Sequence, residues 1–159
     1  EIRVEPLYSA ELQGVDDNYL NSRNELNDHA ERFVSEYLRQ RKIHEIHQML
    51  QRVKKSDAMI YLMSESLEPI VRAVSNELEV GYFGVKLRFC DGYSTGHLEG
   101  GGQKLDWVSG SDHDILTAVS DNKTDCLLLE KADHGYAVIQ YARYSRFWRT
   151  FPSIKHIKV

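Results

Sequence analysis

Side chains able to do chemistry cluster most densely at Asp106-Trp107 and Ser111-Asp112-His113-Asp114. A carboxylate next to an imidazole holds the ring in one tautomer and raises its pKa, which is what a general base needs. No nucleophile can be assigned to the cluster from sequence. Asp112 as a helix cap with His113 in solvent accounts for the same residues without catalysis, and a ligand contact is the intermediate case. His44 and His47 stand three apart on a helical stretch, where a metal held with Glu45 competes with an ordinary solvated face. Tyr141, Arg143, Tyr144, Arg146, Phe147, Trp148, Arg149 and Phe151 interleave aromatic and basic groups, a composition suited to stacking bases over a phosphate-contacting surface. It equally suits a closing segment packed on the domain with its arginines reaching outward.

Stronger catalytic signatures are missing. There is no GxSxG, P-loop or HExxH, and no GxGxxG followed by the acid of a dinucleotide site. Gly100-Gly101-Gly102 lacks a following GK[ST], so it is not read as a phosphate cradle. The sequence therefore predicts no catalytic residue and no metal ligand, and names no cofactor. Cys90 and Cys126 lie in apolar runs, form no CxxC pair, and are expected as buried free thiols unless the domain faces an oxidising compartment.

Composition sets the frame for these groups. At 159 residues, 42% hydrophobic and 28% charged, the chain is long enough for one domain with a core that needs neither disulfides nor metal. Its mean hydropathy is -0.49 and its apolar stretches run only a few residues, so no membrane span is expected. A net charge of -4 and a pI near 6.0 argue against a dedicated nucleic-acid binder. Charge is unevenly spread. Residues 1–36 hold nine acids against Arg3, Arg23 and Arg32, whereas residues 143–159 hold five bases and no acid. Starting at Glu1 without a leader, the chain reads as a piece of a longer protein, cytoplasmic or extracytoplasmic.

The elements that must position these groups differ between the halves. Leu26, Ala30, Phe33 and Tyr37 form one helical stripe, but the apolar set restarts at Ile43, Ile46, Met49, Leu50 and Val53, which predicts either a kink near Arg39–Lys42 or one helix contacting different partners at its two ends. Residues 58–63 fit a helical turn or a short strand. Leu67, Ile70, Val71, Val74 and Leu78 predict an amphipathic helix with Pro69 in its first turn and an end at Gly81. Val85, Leu87 and Phe89 alternate with polar residues ahead of Asp91-Gly92, a strong hairpin signal. Beyond the glycines, a short strand is expected over 104–108 and a helix over 111–118. The cluster Ser120-Asp121-Asn122-Lys123 reads as a turn, with a closing hairpin pairing 125–130 with 136–144. The predicted class is α+β, with N-terminal helices, one of them long, packed on a central antiparallel sheet.

The stretches Leu67–Gly92 and Cys126–Phe147 make this layout resemble the GAF/PAS class of small sensory domains, including the Cache type, with its profilin-like arrangement. The first looks like the helix that runs into the opening strand, and the second like the final hairpin. The terminal helix usual in GAF domains is absent, since only seven residues follow Pro152. The resemblance implies a regulatory ligand-sensing domain of a kinase, cyclase or related receptor, without catalysis of its own. It places the ligand beneath 99–124, with Trp107, Asp112 and His113 as contacts, and Arg88 and Tyr141 facing the same pocket from the outer strands. It also implies signalling through a homodimer of the 21–55 helix, bound to a small molecule or a partner protein.

The corresponding division is an N-terminal segment over 1–20, a helical region over 21–64, a sensory domain over 65–150 and a tail over 151–159. Two other readings stay open at this point. One is a scaffold module without a small ligand; the other is a small enzyme with His113 or His97 as base.

Overall fold

The computed structural model describes residues 22–100, 104–109 and 114–159, which pack as two separate units meeting in sequence near position 101. In the first unit, helix α1 (Arg23–Phe33) starts at a capping box: the Ser22 hydroxyl accepts from the Glu25 N–H at 3.2 Å while Glu25 Oε2 accepts from the Ser22 N–H at 2.8 Å. Leu26, Ala30 and Val34 are buried along one face. The helix then passes through a π turn (Val34–Leu38) and a 3-10 turn (Arg39–Arg41) before extended Lys42 and Ile43 lead into α2 (His44–Val53). This break is the predicted kink. A single regular helix cannot keep both apolar sets inward, and the wider and tighter turns change the phase between them.

Strand β1 (Tyr61–Leu67) resolves the ambiguous segment as extended. It is followed by α3 (Glu68–Leu78), with Pro69 in the first turn and Glu79, at φ 51, in the left-handed position that ends the helix. Strands β2 (Gly81–Cys90) and β3 (Tyr93–Glu99) then form the expected hairpin, whose Asp91 and Gly92 both take positive φ as a tight primed turn requires. The sheet order is β1-β2-β3, with β1 parallel to β2 and β2 antiparallel to β3. Its α-layer packs through Ala30, Val34 and Ala73, flanked by Leu38, Ile70 and Val74.

The second unit contains α4 (Lys104–Ser109), β4 (Thr117–Ser120), α5 (Cys126–Lys131), β5 (His134–Ile139), α6 (Ser145–Trp148) and β6 (Lys155–Lys158). Its three strands are all parallel in the order β4-β5-β6, with Ser120 beside Ala137 and Tyr136 beside Lys155. Ala137 and Trp148 are fully buried, surrounded by Leu128, Leu129, Ile139 and Ile154, and Leu105, Val108 and Phe147 pack around them. Trp148 Nε1 is buried with no hydrogen-bond partner among the described residues. A Cβ on Gly135 would run into the Leu129 carbonyl, so α5 lies against the start of β5 as closely as a backbone allows. Both cysteines are free, but the expected burial fails: Cys90, at the end of β2, is exposed, and Cys126 is half-buried.

The second unit overturns the predicted fold class. Cys126–Leu129 is a helix and not a strand, residues 117 and 118, expected at the end of a helix, begin strand β4, and 104–109 is a helix. What was expected as an antiparallel closing hairpin is a strand-helix-strand crossover between parallel strands. An apolar run of four residues carries no period that separates helix from strand. Here Asn122 tips the balance, its side chain accepting from the Thr124 N–H at 3.2 Å and turning the chain into helix directly after β4. Residues 142–144, expected at the end of a strand, form a 3-10 turn, residues 145–148 form α6, and the tail supplies β6. The molecule is therefore an α/β arrangement, with one mixed and one parallel sheet, in place of a GAF/PAS antiparallel sheet.

Candidate active site

Parallel strands joined by crossover helices open at their carboxyl ends, where loops from neighbouring strands converge and ligands bind. In the second unit that end is formed by Ser120 and Asp121 after β4, and by Gln140 and Tyr141 after β5. The Ser120 hydroxyl accepts from the Asn122 N–H at 3.1 Å and donates to Asp125 Oδ2 at 2.6 Å. Lys104 Nζ donates to the same Asp125 oxygen at 2.5 Å. Asp125 is 6% exposed, so this carboxylate is desolvated and held by one ammonium and one hydroxyl. Asp121, less deeply placed, accepts from Gln140 Nε2 at 3.1 Å across the mouth of the two strands.

Local sequence explains why these groups converge. Leu105 and Val108 fix α4 on the hydrophobic core, which brings Lys104 at its start over the loop after β4. The turn from Asp121 to Asp125 is built by side chains bonding to nearby backbone N–H groups, so both aspartates leave the sheet in fixed positions. Beside Asp121 lies a hollow of about 130 Å³ bounded by Asn122, Lys123, Gln140, Tyr141 and Tyr144. Tyr141 and Tyr144 stand edge to face, 5.8 Å between centroids at 87°. Lys123 Nζ lies 4.4 Å from the Tyr144 ring centre, and the Arg143 guanidinium 5.2 Å from Tyr141 and 4.9 Å from Tyr144.

The first unit offers less. A larger open groove lined by Lys54, Met59, Tyr61, Glu79 and Gly81 lies at the amino end of its parallel pair, away from the end where such sheets bind ligands. At the carboxyl end of β1, the Ser64 hydroxyl accepts from the Ser66 N–H at 3.1 Å. Among the described residues no group of three acidic, histidine or cysteine side chains is placed to enclose a metal ion; His44 instead lies 2.7 Å from Gln48 Nε2.

Of the residues singled out by sequence, Tyr141 lines the hollow beside Asp121. Trp107 sits half-buried on α4, the helix that carries Lys104. Arg88 belongs to the first unit, exposed on β2 and paired with Glu99 at 2.9 Å. Asp112 and His113 lie outside the described residues. Lys104, Ser120, Asp121 and Asp125 were missed. The signal for them is a pair of aspartates four apart, immediately after a short apolar strand and before an apolar helix.

No family model matches the chain, and no curated protein matches it. Solved structures do. A protein of unknown function from Bordetella pertussis Tohama I superposes with a TM-score of 0.71 at 17% identity, covering 86% of this chain and 67% of that one. A phosphoserine phosphohydrolase-like protein from Francisella tularensis subsp. tularensis SCHU S4 gives 0.61 at 17% identity, covering 84% and 65%. Cytosolic 5'-nucleotidase IIIB, solved bound to cytidine, gives 0.57 at 11% identity, covering 85% and 52%. At these identities the likeness is one of fold, an α/β arrangement.

The chain thus spans between about half and two thirds of the length of these neighbours. The resemblance to GAF/PAS and Cache sensory domains is corrected by them, and with it the expected regulatory, non-catalytic role in signal transduction. What misled was the first hairpin and the helix before it, which are real elements but belong to a mixed sheet with a parallel strand, β1, on its other side.

Proposed function

We propose that Lys104, Ser120, Asp121 and Asp125 form the phosphate end of a phosphomonoester hydrolase site. The observation that carries this is the buried Lys104–Asp125 pair beside Asp121 at the carboxyl end of parallel β4. Asp125 fixes the ammonium of Lys104, which keeps further N–H donors for a phosphate oxygen. Ser120 locks the Asp125 carboxylate and Gln140 holds Asp121, so none of the charged groups must reorganise when a dianion arrives. The names of two of the neighbours, phosphohydrolase-like and 5'-nucleotidase, support the same reaction class.

Two carboxylates at a strand end fit Mg²⁺, which takes one or two protein carboxylates and fills its octahedron with water and substrate phosphate. Asp121 would be the carboxylate to hold the ion, since Asp125 is engaged by Lys104 and Ser120. When bound, Mg²⁺ would neutralise charge on the phosphate and polarise its oxygens. The protein's own part is to orient the phosphate by Lys104 and to keep Asp121 in place through Gln140.

The test is phosphate release from simple monoesters in the presence of Mg²⁺, together with binding of inorganic phosphate by calorimetry. Release that Asp121→Asn abolishes, with phosphate binding weakened by Lys104→Met, is the expected result. Neither release nor phosphate binding by the wild type would overturn the assignment.

A further inference from the structure

We propose that the hollow between Asp121 and Tyr144 is a subsite for a single aromatic ring, making the substrate class of this site aryl phosphomonoesters rather than alkyl ones. The inference rests on the phosphate-end assignment made above and specifies what the phosphate is attached to.

Three independent features carry it. The first is size: an engineered apolar cavity of about 150 Å³ takes one benzene ring, and the hollow beside Asp121 measures about 130 Å³. The second is the wall. Tyr141 is exposed, lines the hollow, and meets Tyr144 at a right angle. A ring entering this corner finds two phenol rings, flat groups of the kind that aromatic ligands stack on. The third is charge. Lys123, which lines the hollow together with Asp121, and Arg143, over the Tyr141 and Tyr144 rings, place two cations among the surrounding groups. They offset the repulsion that the Asp121 carboxylate exerts on a dianionic ester.

Geometry links ring and phosphate. Gln140, which donates to Asp121, directly precedes Tyr141, and both line the hollow. A ring against Tyr141 therefore has its substituent within reach of Asp121, whereas an alkyl phosphate uses only the phosphate end. The same stretch is the aromatic and basic alternation that the sequence shows from Tyr141 onward.

The experiment is isothermal titration of the chain with phenyl phosphate, glycerol 2-phosphate and inorganic phosphate, with Mg²⁺ present throughout. Phenyl phosphate should bind at least about tenfold more tightly than glycerol 2-phosphate, the scale of one stacking contact. Tyr141→Ala should remove that ratio, and Tyr141→Phe should keep it. Tyr141 is exposed, so the alanine variant is not expected to disturb folding, and an unchanged circular dichroism spectrum checks this. Equal affinity for the two esters in the wild type, or a ratio that survives Tyr141→Ala, overturns the aromatic subsite while leaving the phosphate end intact. Failure of all three ligands, inorganic phosphate included, overturns the phosphate end and the subsite with it.

Discussion

Lys104 Nζ and Asp125 Oδ2 lie 2.5 Å apart, with the side chains only 14% and 6% exposed. The two residues are brought together by elements that sequence alone assigned differently, since 104–108 was expected as strand and 125–130 as strand. Buried pairs of this kind contribute little net stability when intact, because desolvation offsets their attraction. Removing one partner strands the other charge in a low-dielectric site. Lys104→Ala is therefore expected to destabilise the second unit by about 3–5 kcal/mol. The double variant Lys104→Met with Asp125→Leu should recover much of that loss. Urea unfolding followed by tryptophan fluorescence measures both, and a loss below about 1 kcal/mol for the single variant would show that the pair is solvated.

Asp121 has a different role in the same cluster, being only half-buried and outside the Lys104 pair. Asp121→Asn keeps an oxygen that accepts from Gln140 Nε2, and its stability change should be smaller than that of Lys104→Ala. Its Mg²⁺ affinity should fall by more than the roughly 10–100-fold that outer-shell changes cost at metal sites. Calorimetric Mg²⁺ titration of the variant and the parent separates the two effects.

Glu77 gives the first unit a defined pH response. The Arg39 guanidinium, at 2.6 Å, and the Lys42 ammonium, at 3.2 Å, bind its carboxylate and lower its pKa from about 4.5 to about 2. A pKa depressed on folding contributes stability that is fully present above the unfolded value and is lost as the pH falls through the folded one. The contribution should thus be constant above about pH 5 and disappear between pH 4.5 and pH 2. Both basic partners are partly exposed, so added salt should shrink the effect. Thermal unfolding of Glu77→Gln across that range is expected to show a flatter profile than the parent; parallel profiles would count against the linkage.

Gly135 sets a close approach between the start of β5 and α5. Its substitution by alanine pushes a methyl group against the Leu129 carbonyl, where no flexible side chain can yield. Overpacking of this sort costs typically about 1–3 kcal/mol. Differential scanning calorimetry should register a lowered Tm for Gly135→Ala, and an unchanged Tm would mean that α5 can slide away from β5.

The first unit was largely legible in the sequence because its elements carry strong local signals. Asp91-Gly92 dictates a turn, Pro69 marks a first helical turn, and the shift from the Leu26 stripe to the Ile43 set requires a break. The second unit was not, because its elements are short. Thr117–Ser120 is four residues, and Cys126–Leu129 is uniformly apolar, so neither shows a period. Whether strands run parallel depends on where the chain crosses over, a long-range property decided by how α5 packs on Ala118 and Ala137. The candidate site followed the same division. Tyr141 was accessible to a reading of composition. Asp121 and Asp125 were hidden within what looked like an ordinary polar turn, since only the parallel topology turns that end of the strand into a binding end.

Strand β4 has a ladder partner on its β5 side only, among the described residues. In an extended strand alternate amides point to opposite sides, so hydrogen exchange should split residues 117–120 into two populations. Amides directed at β5 inherit the protection of the buried strand, while those on the outer side exchange at the rate of solvent-facing backbone. With Leu116 and Val119 exposed nearby, that outer side is also adhesive. An added extended segment would slow exchange at alternate positions of β4 alone, which makes this short strand a built-in reporter of whatever comes to lie against it.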